Sequence, residues 1–204
     1  MKIYSRCLLA VLFLGANCFA QPSTSSKREH ALAAIIQLGG KVVIDSSSAD
    51  KPVVRVHLNN TAITDADLIH LKNLPELREL DVRQTKITDA GVAHLKNLTN
   101  LRFLNLFRTQ LSDAGLKSLK KLTQLETLLM GGTKVTDSGL RHLKPFSQLR
   151  KISVFDTQVS DAGIGHFKKL PKLEVLLLGK SKITEAGALA LQQALPNLRF
   201  REQT

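Results

Sequence analysis

A repeat of 24 residues governs this chain and leaves it few ways to fold. One unit runs through Leu77, Leu80 and Val82, then Thr85 and Ile87, then Thr88-Asp89-Ala90-Gly91-Val92, and closes on Leu95 and Leu98. The following units open at Leu101, Leu125, Leu149 and Leu173, and Val53 opens a weaker copy one step earlier. That makes six units with no insertion or deletion between them. A lone unit of this size cannot bury its own apolar positions, whereas stacked units share one interior.

Each unit carries two periodicities. Leu80 and Val82 alternate, which predicts a short strand with one buried face. Val92, Leu95 and Leu98 are spaced by three, which predicts a short helix or 3₁₀ turns. Between them, Thr88 is placed to cap the helix and Asp89 puts negative charge in its first turn. The pair recurs as Thr64-Asp65, Ser112-Asp113, Thr136-Asp137, Ser160-Asp161 and Thr184-Glu185. Thr61, Thr85, Thr109, Thr133, Thr157 and Ser181 form a hydroxyl column that can satisfy backbone groups where the chain turns outward. Gly91, Gly115, Gly139, Gly163 and Gly187 occupy one position, expected to serve close packing. The expected class is α/β, a solenoid with a parallel inner sheet and short outer helices.

The unit Leu-x-x-Leu-x-Leu-x-x-Thr-x-Ile-Thr-Asp-Ala-Gly-Leu-x-x-Leu resembles the leucine-rich repeat. It is nearest to the subclass of ribonuclease-inhibitor-like proteins and F-box-type substrate receptors, and exported bacterial leucine-rich-repeat proteins use very similar units. It departs where Thr stands in place of the Asn or Cys of many relatives. The resemblance covers residues 53–195 and implies a right-handed arc used for protein recognition, with no catalytic residue carried over.

The two ends fall outside the period. Lys2 and Arg6 precede an apolar run from Cys7 to Leu14, and small residues follow up to Ala20. This is the pattern of a secretory signal over residues 1–20, cut after Ala20. The alternatives are an uncleaved anchor, for which the run is short of the ~20 residues that span a bilayer, and acylation at Cys18, which Asn17 fits poorly. Residues 21–26 are expected to be a disordered spacer. Residues 27–52 are expected to form an N-terminal cap with a helix over 27–38 and a strand over 41–45; a partner-binding helix is the alternative. The units then span 53–76, 77–100, 101–124, 125–148, 149–172 and 173–195, and residues 196–204 form a final cap strand and tail.

Catalytic and metal chemistry find little support. Both cysteines, Cys7 and Cys18, lie in the leader, so the remainder holds no disulfide, thiolate zinc site or cysteine nucleophile. His70, His94, His142 and His166 repeat in register, but helices ~8–10 Å apart hold two imidazoles too far from a shared zinc. The Asp column offers one carboxylate per unit, whereas calcium needs several oxygens converging. No nucleophile elbow, zinc-protease helix or phosphate loop is present. No cofactor is expected.

The formal charge is +12, with 29 basic and 17 acidic side chains; loss of Lys2 and Arg6 leaves 27 basic ones. Many lysines fall on the outer helices with few aromatics among them, and export argues against nucleic acid. The informative surface is the concave face of the sheet. Asp81, Arg83, Phe103, Asn105, Phe107, Leu129, Lys151, Phe155, Val175 and Leu177 are expected there, an apolar patch rimmed by Arg83, Arg108, Asp81 and Lys151. The expected partner is another protein or peptide. Coverage by the chain's own tail or a second copy is the alternative. Two other roles stay open: an envelope protein whose basic surface contacts anionic polymer or lipid, and an adaptor resembling ubiquitin-ligase receptors. Amino-terminal sequencing of the exported protein should read from Gln21; a start at Met1, or at an acylated Cys18, overturns the expected cut.

Overall fold

The computed structural model describes residues 24–201. The expected signal, its cut and Cys18 lie outside them. Eight strands form one sheet in chain order: β1 (Lys41–Ile44), β2 (Val53–His57), β3 (Glu79–Asp81), β4 (Phe103–Asn105), β5 (Thr127–Leu129), β6 (Lys151–Ser153), β7 (Val175–Leu177) and β8 (Arg199–Phe200). β1 runs antiparallel to β2, and every later pair is parallel. The register is the repeat itself: Arg55, Glu79, Phe103, Thr127, Lys151 and Val175 lie side by side. The chain is an α/β solenoid of stacked repeat units.

The return segments are short because their apolar residues recur every three positions. Such spacing stays on one face only at three residues per turn. The segment after β2 is accordingly a 3₁₀ helix, Asp65–Asn73, with Leu68 and Leu71 buried. Three later units join an α-turn to a 3₁₀ turn, α2 (Asp89–Ala93), α4 (Asp137–Leu140) and α5 (Ile164–Phe167), whereas α3 (Asp113–Ser118) is α-helical alone. The longer α6 (Glu185–Ala194) precedes β8. One continuous core, aliphatic apart from Phe146 and Phe167, lies between these segments and the sheet, from Ala31 and Ile35 to Leu191 and Leu198.

At the other end, α1 (Thr24–Gln37) packs on the first 3₁₀ helix. It begins earlier than expected, so Thr24–Ser26 belong to the helix and not to a spacer. Ala31 and Ile35, four apart on one face, are buried, which ties the helix to the core.

Neighbouring units are fastened at the Thr/Ser-Asp corner. Thr88 does cap its helix, accepting from Ala90 N at 3.2 Å. The Asp reaches further than a first-turn charge would. Asp65 Oδ1 accepts from Thr88 N at 2.8 Å, and its Oδ2 accepts from the Thr88 hydroxyl, 23 residues on. Asp89 holds Ser112 in the same way, Asp113 holds Thr136, Asp137 holds Ser160 and Asp161 holds Thr184. These bonds to Thr184 keep the Asp161 carboxyl below its ordinary range. The position 23 residues before Thr64 is Lys41, which has no carboxylate. There Asp67 of the same turn accepts from Thr64 N at 2.7 Å and from its hydroxyl at 2.8 Å.

The glycine column makes room for this clasp. A methyl group at Gly91, Gly115, Gly139, Gly163 or Gly187 would run into Oδ1 of the preceding unit's Asp. The hydroxyl column closes the turn after each strand: Thr61, Thr85, Thr109, Thr133 and Thr157 donate to the carbonyl three residues back.

Asp113→Ala strips a charged acceptor from two donors of the next unit and should cost about 1–3 kcal/mol in urea unfolding. Gly139→Ala should destabilise at least as much, because the new methyl displaces the Asp113 carboxylate. Gly165→Ala, whose methyl meets nothing within 4 Å, should leave the midpoint unchanged or raise it.

Candidate functional site

The sheet face turned away from the helices carries three columns of side chains. In the first, Arg55 pairs with Glu79 at 3.0 Å, followed by Phe103, Thr127, Lys151 and Val175. Phe103, Lys151 and Val175 are half-buried, and so open in part to the face.

The middle column runs His57, Asp81, Asn105, Leu129, Ser153, Leu177. Only part of it meets the expectation of a contact surface. Leu129 is half-buried, but Asp81, Asn105 and Leu177 are 7%, 3% and 7% exposed. A central side chain has a neighbouring strand on either side and an outer column before and after it. The polar members also turn back on their own backbone. Asp81 Oδ1 accepts from Arg83 N at 3.0 Å, and Asn105 Oδ1 from Phe107 N at 3.1 Å. These N–H groups lie just past the strand, and the side chains satisfy them locally. Asp81, Asn105 and Leu177 are therefore largely closed off within the frame of the sheet.

The third column lies at the strand exit: Asn59, Arg83, Phe107, Gly131, Phe155, Gly179. Aromatic and glycine residues alternate over its last four places. A methyl built on Gly131 would come within 3.1 Å of Phe107 Cδ2 and 2.9 Å of the Phe155 carbonyl oxygen. With no side chain between them, the Phe107 and Phe155 rings approach to 6.4 Å between centroids, tilted by 46°. This is the range of favourable aromatic pairs. Phe155 in turn lies over Gly179, where a methyl would sit 3.3 Å from its ring.

The next residue along each unit has left-handed backbone: φ is 57° at Asn60, 56° at Gln84, 52° at Arg108, 66° at Gly132, 52° at Asp156 and 59° at Lys180. Side chains such as Arg and Lys rarely adopt this region. The ladder imposes it, since Arg108 N donates to the Gly131 carbonyl and Asp156 N to the Gly179 carbonyl. Residue type alone does not betray this column, since only Asn60, Gly132 and Asp156 are types that favour such a backbone. Its effect is to fold cations over the rings. The Arg108 guanidinium carbon lies 5.1 Å from the Phe107 centroid, and Lys180 Nζ lies 5.6 Å from that of Phe155. Arg83 stays exposed beside Asp81, with 3.6 Å between Nε and Oδ2.

The histidine column shows a different chemistry. His142 Nε2 accepts from Arg141 Nε at 3.3 Å. Partial burial, with the Arg141 and Lys117 charges nearby, holds its pKa below the ordinary value and favours the neutral ring. Among the described residues, no three His, Cys, Asp or Glu side chains are grouped to hold a metal ion.

Gly131→Ala should force the ring pair apart and destabilise the fold by about 1–3 kcal/mol. Ring-current shifts of the Phe107 and Phe155 protons report it; unchanged shifts would mean the glycine is not what lets the rings meet.

A family profile described as the leucine-rich repeat matches residues 73–95 and 97–120. Among solved structures, an internalin from Listeria monocytogenes is similar, at 27% sequence identity and a TM-score of 0.60. The likeness covers 72% of this chain and 40% of the internalin, so the chain spans well under half of that protein's length. No curated protein matches. With the 24-residue units and their shared sheet, these likenesses make the chain a leucine-rich-repeat protein.

Proposed function

We propose that this chain is an exported, non-catalytic scaffold that grips another protein with the free, concave face of its sheet. The observation that carries this reading is the half-buried Phe107–Phe155 pair with Phe103, Leu129 and Val175 around it. Folding alone does not ask for apolar residues there. β2 and β3 pair in the same register with Arg55, Glu79 and Arg83 at the equivalent places. Apolar surface in excess of what the fold needs is the mark of a contact site. Export rests on the leader in residues 1–20, and no helix of the described residues is long and apolar enough to cross a membrane.

A second role has its own support. Lys72, Lys96, Lys120, Lys144 and Lys168 recur at the repeat interval and are all exposed. Such a row suits an anionic envelope polymer or lipid, and binding through it would fall steeply as salt rises.

A photo-cross-linking residue at Phe103 should trap a foreign protein, and Phe155→Ser should abolish that adduct; a cross-linker at the exposed Lys121 should not give it. An adduct of twice the chain's own mass would make the face a self-association surface. Identical products from both positions would remove the sheet face from consideration.

A further inference from the structure

The free face has a charge as well as an apolar centre. Four ion pairs occur among the described residues, through Arg55, Arg83, Arg102 and Arg150. Arg108, Lys151 and Lys180 are in none of them. Glu79 and Asp81 are engaged by Arg55 and Arg83. Asp156 is the remaining exposed acid of the strand-exit turns, in the same column as Arg108 and Lys180. The ring pair is thus flanked by two cations held above its members, with positive charge in excess around it.

The spacing is specific. Arg108 and Lys180 are three units apart, about 14 Å at the usual inter-strand step. An extended segment covers that distance in about four residues. The middle of that span lies one and a half units from Arg108, between the Gly131 and Phe155 units, so its central side chain would meet the Phe155 side of the ring pair.

We infer that the segment gripped by this face is an acidic, extended peptide of the partner protein, with an aromatic or large apolar residue on the Phe107–Phe155 pair and a carboxylate two positions to either side, meeting Arg108 and Lys180. This rests on the sheet-face reading above and adds the chemistry of the occupant. The carboxylates pair with cations that lie over ring faces and are in no ion pair among the described residues, and charge-assisted bonds to carboxylate are the stronger partners. A basic segment would meet like charge at both ends.

A displayed library of random dodecapeptides, panned against the intact chain, tests it. Enriched sequences should carry an aromatic or large apolar residue with Asp or Glu two places on either side, about 10-fold or more above the starting library. The enrichment should vanish on a variant with Phe107→Leu and Phe155→Ser whose circular dichroism is unchanged. On Arg108→Glu with Lys180→Glu the charge preference should turn to Lys and Arg around the same anchor. Enrichment that needs Phe155 but shows no acidic bias, or keeps its bias in the charge-reversed variant, overturns the acidic segment and leaves the sheet face standing. Enrichment indifferent to the Phe variant, or none at all, overturns both.

Discussion

Everything in this molecule depends on keeping one unit in step with the next, and a carboxylate clasp does it. Asp65, Asp89, Asp113, Asp137 and Asp161 each accept a backbone N–H and a hydroxyl from the following unit. Aliphatic packing alone is non-directional and would tolerate a slip along the stack. Two bonds of fixed geometry per junction do not. They set the register in which strands only three residues long can still pair.

The free face follows from that register. Side chains 24 apart become neighbours, so Phe107 and Phe155, 48 apart, can meet across Gly131. The left-handed turn after each strand then sets Arg108 and Lys180 over the rings. The energy of such a cation–ring contact is modest, about 0.5–1 kcal/mol when exposed. Its larger effect is to hold long, flexible cations near one place before any partner arrives.

Much of this was legible in the residues. The period, the alternation in Leu80 and Val82 and the three-residue spacing of Val92, Leu95 and Leu98 specify strand, return and stack. The hydroxyls of Thr61 to Thr157 close their turns as the residue type suggests. The Asp column was legible only in part: a carboxylate at a helix start reads as a local charge, and its bonds to a residue 23 positions on exist only once the units are stacked. The same holds for Gly139, whose small size answers to Asp113 and not to its own helix. Alternation placed Asp81 and Asn105 on the open face, yet it cannot tell a central column from an outer one. Nor do Gln84, Arg108 and Lys180 betray a left-handed backbone, because the ladder compels it against their preference.

The clasp also has a direction. Each carboxylate reaches forward to the next hydroxyl, and only the first, at Thr64, is served from within its own turn by Asp67. Hook and eye are therefore interchangeable among interior modules. Excising a whole module would bring Asp89 against Thr136 in place of Ser112 with the joint chemically intact, whereas losing even one residue more or less would leave every downstream hook facing the wrong atom. A protein built this way can lengthen or shorten its sheet in evolution by whole modules, and by almost nothing else.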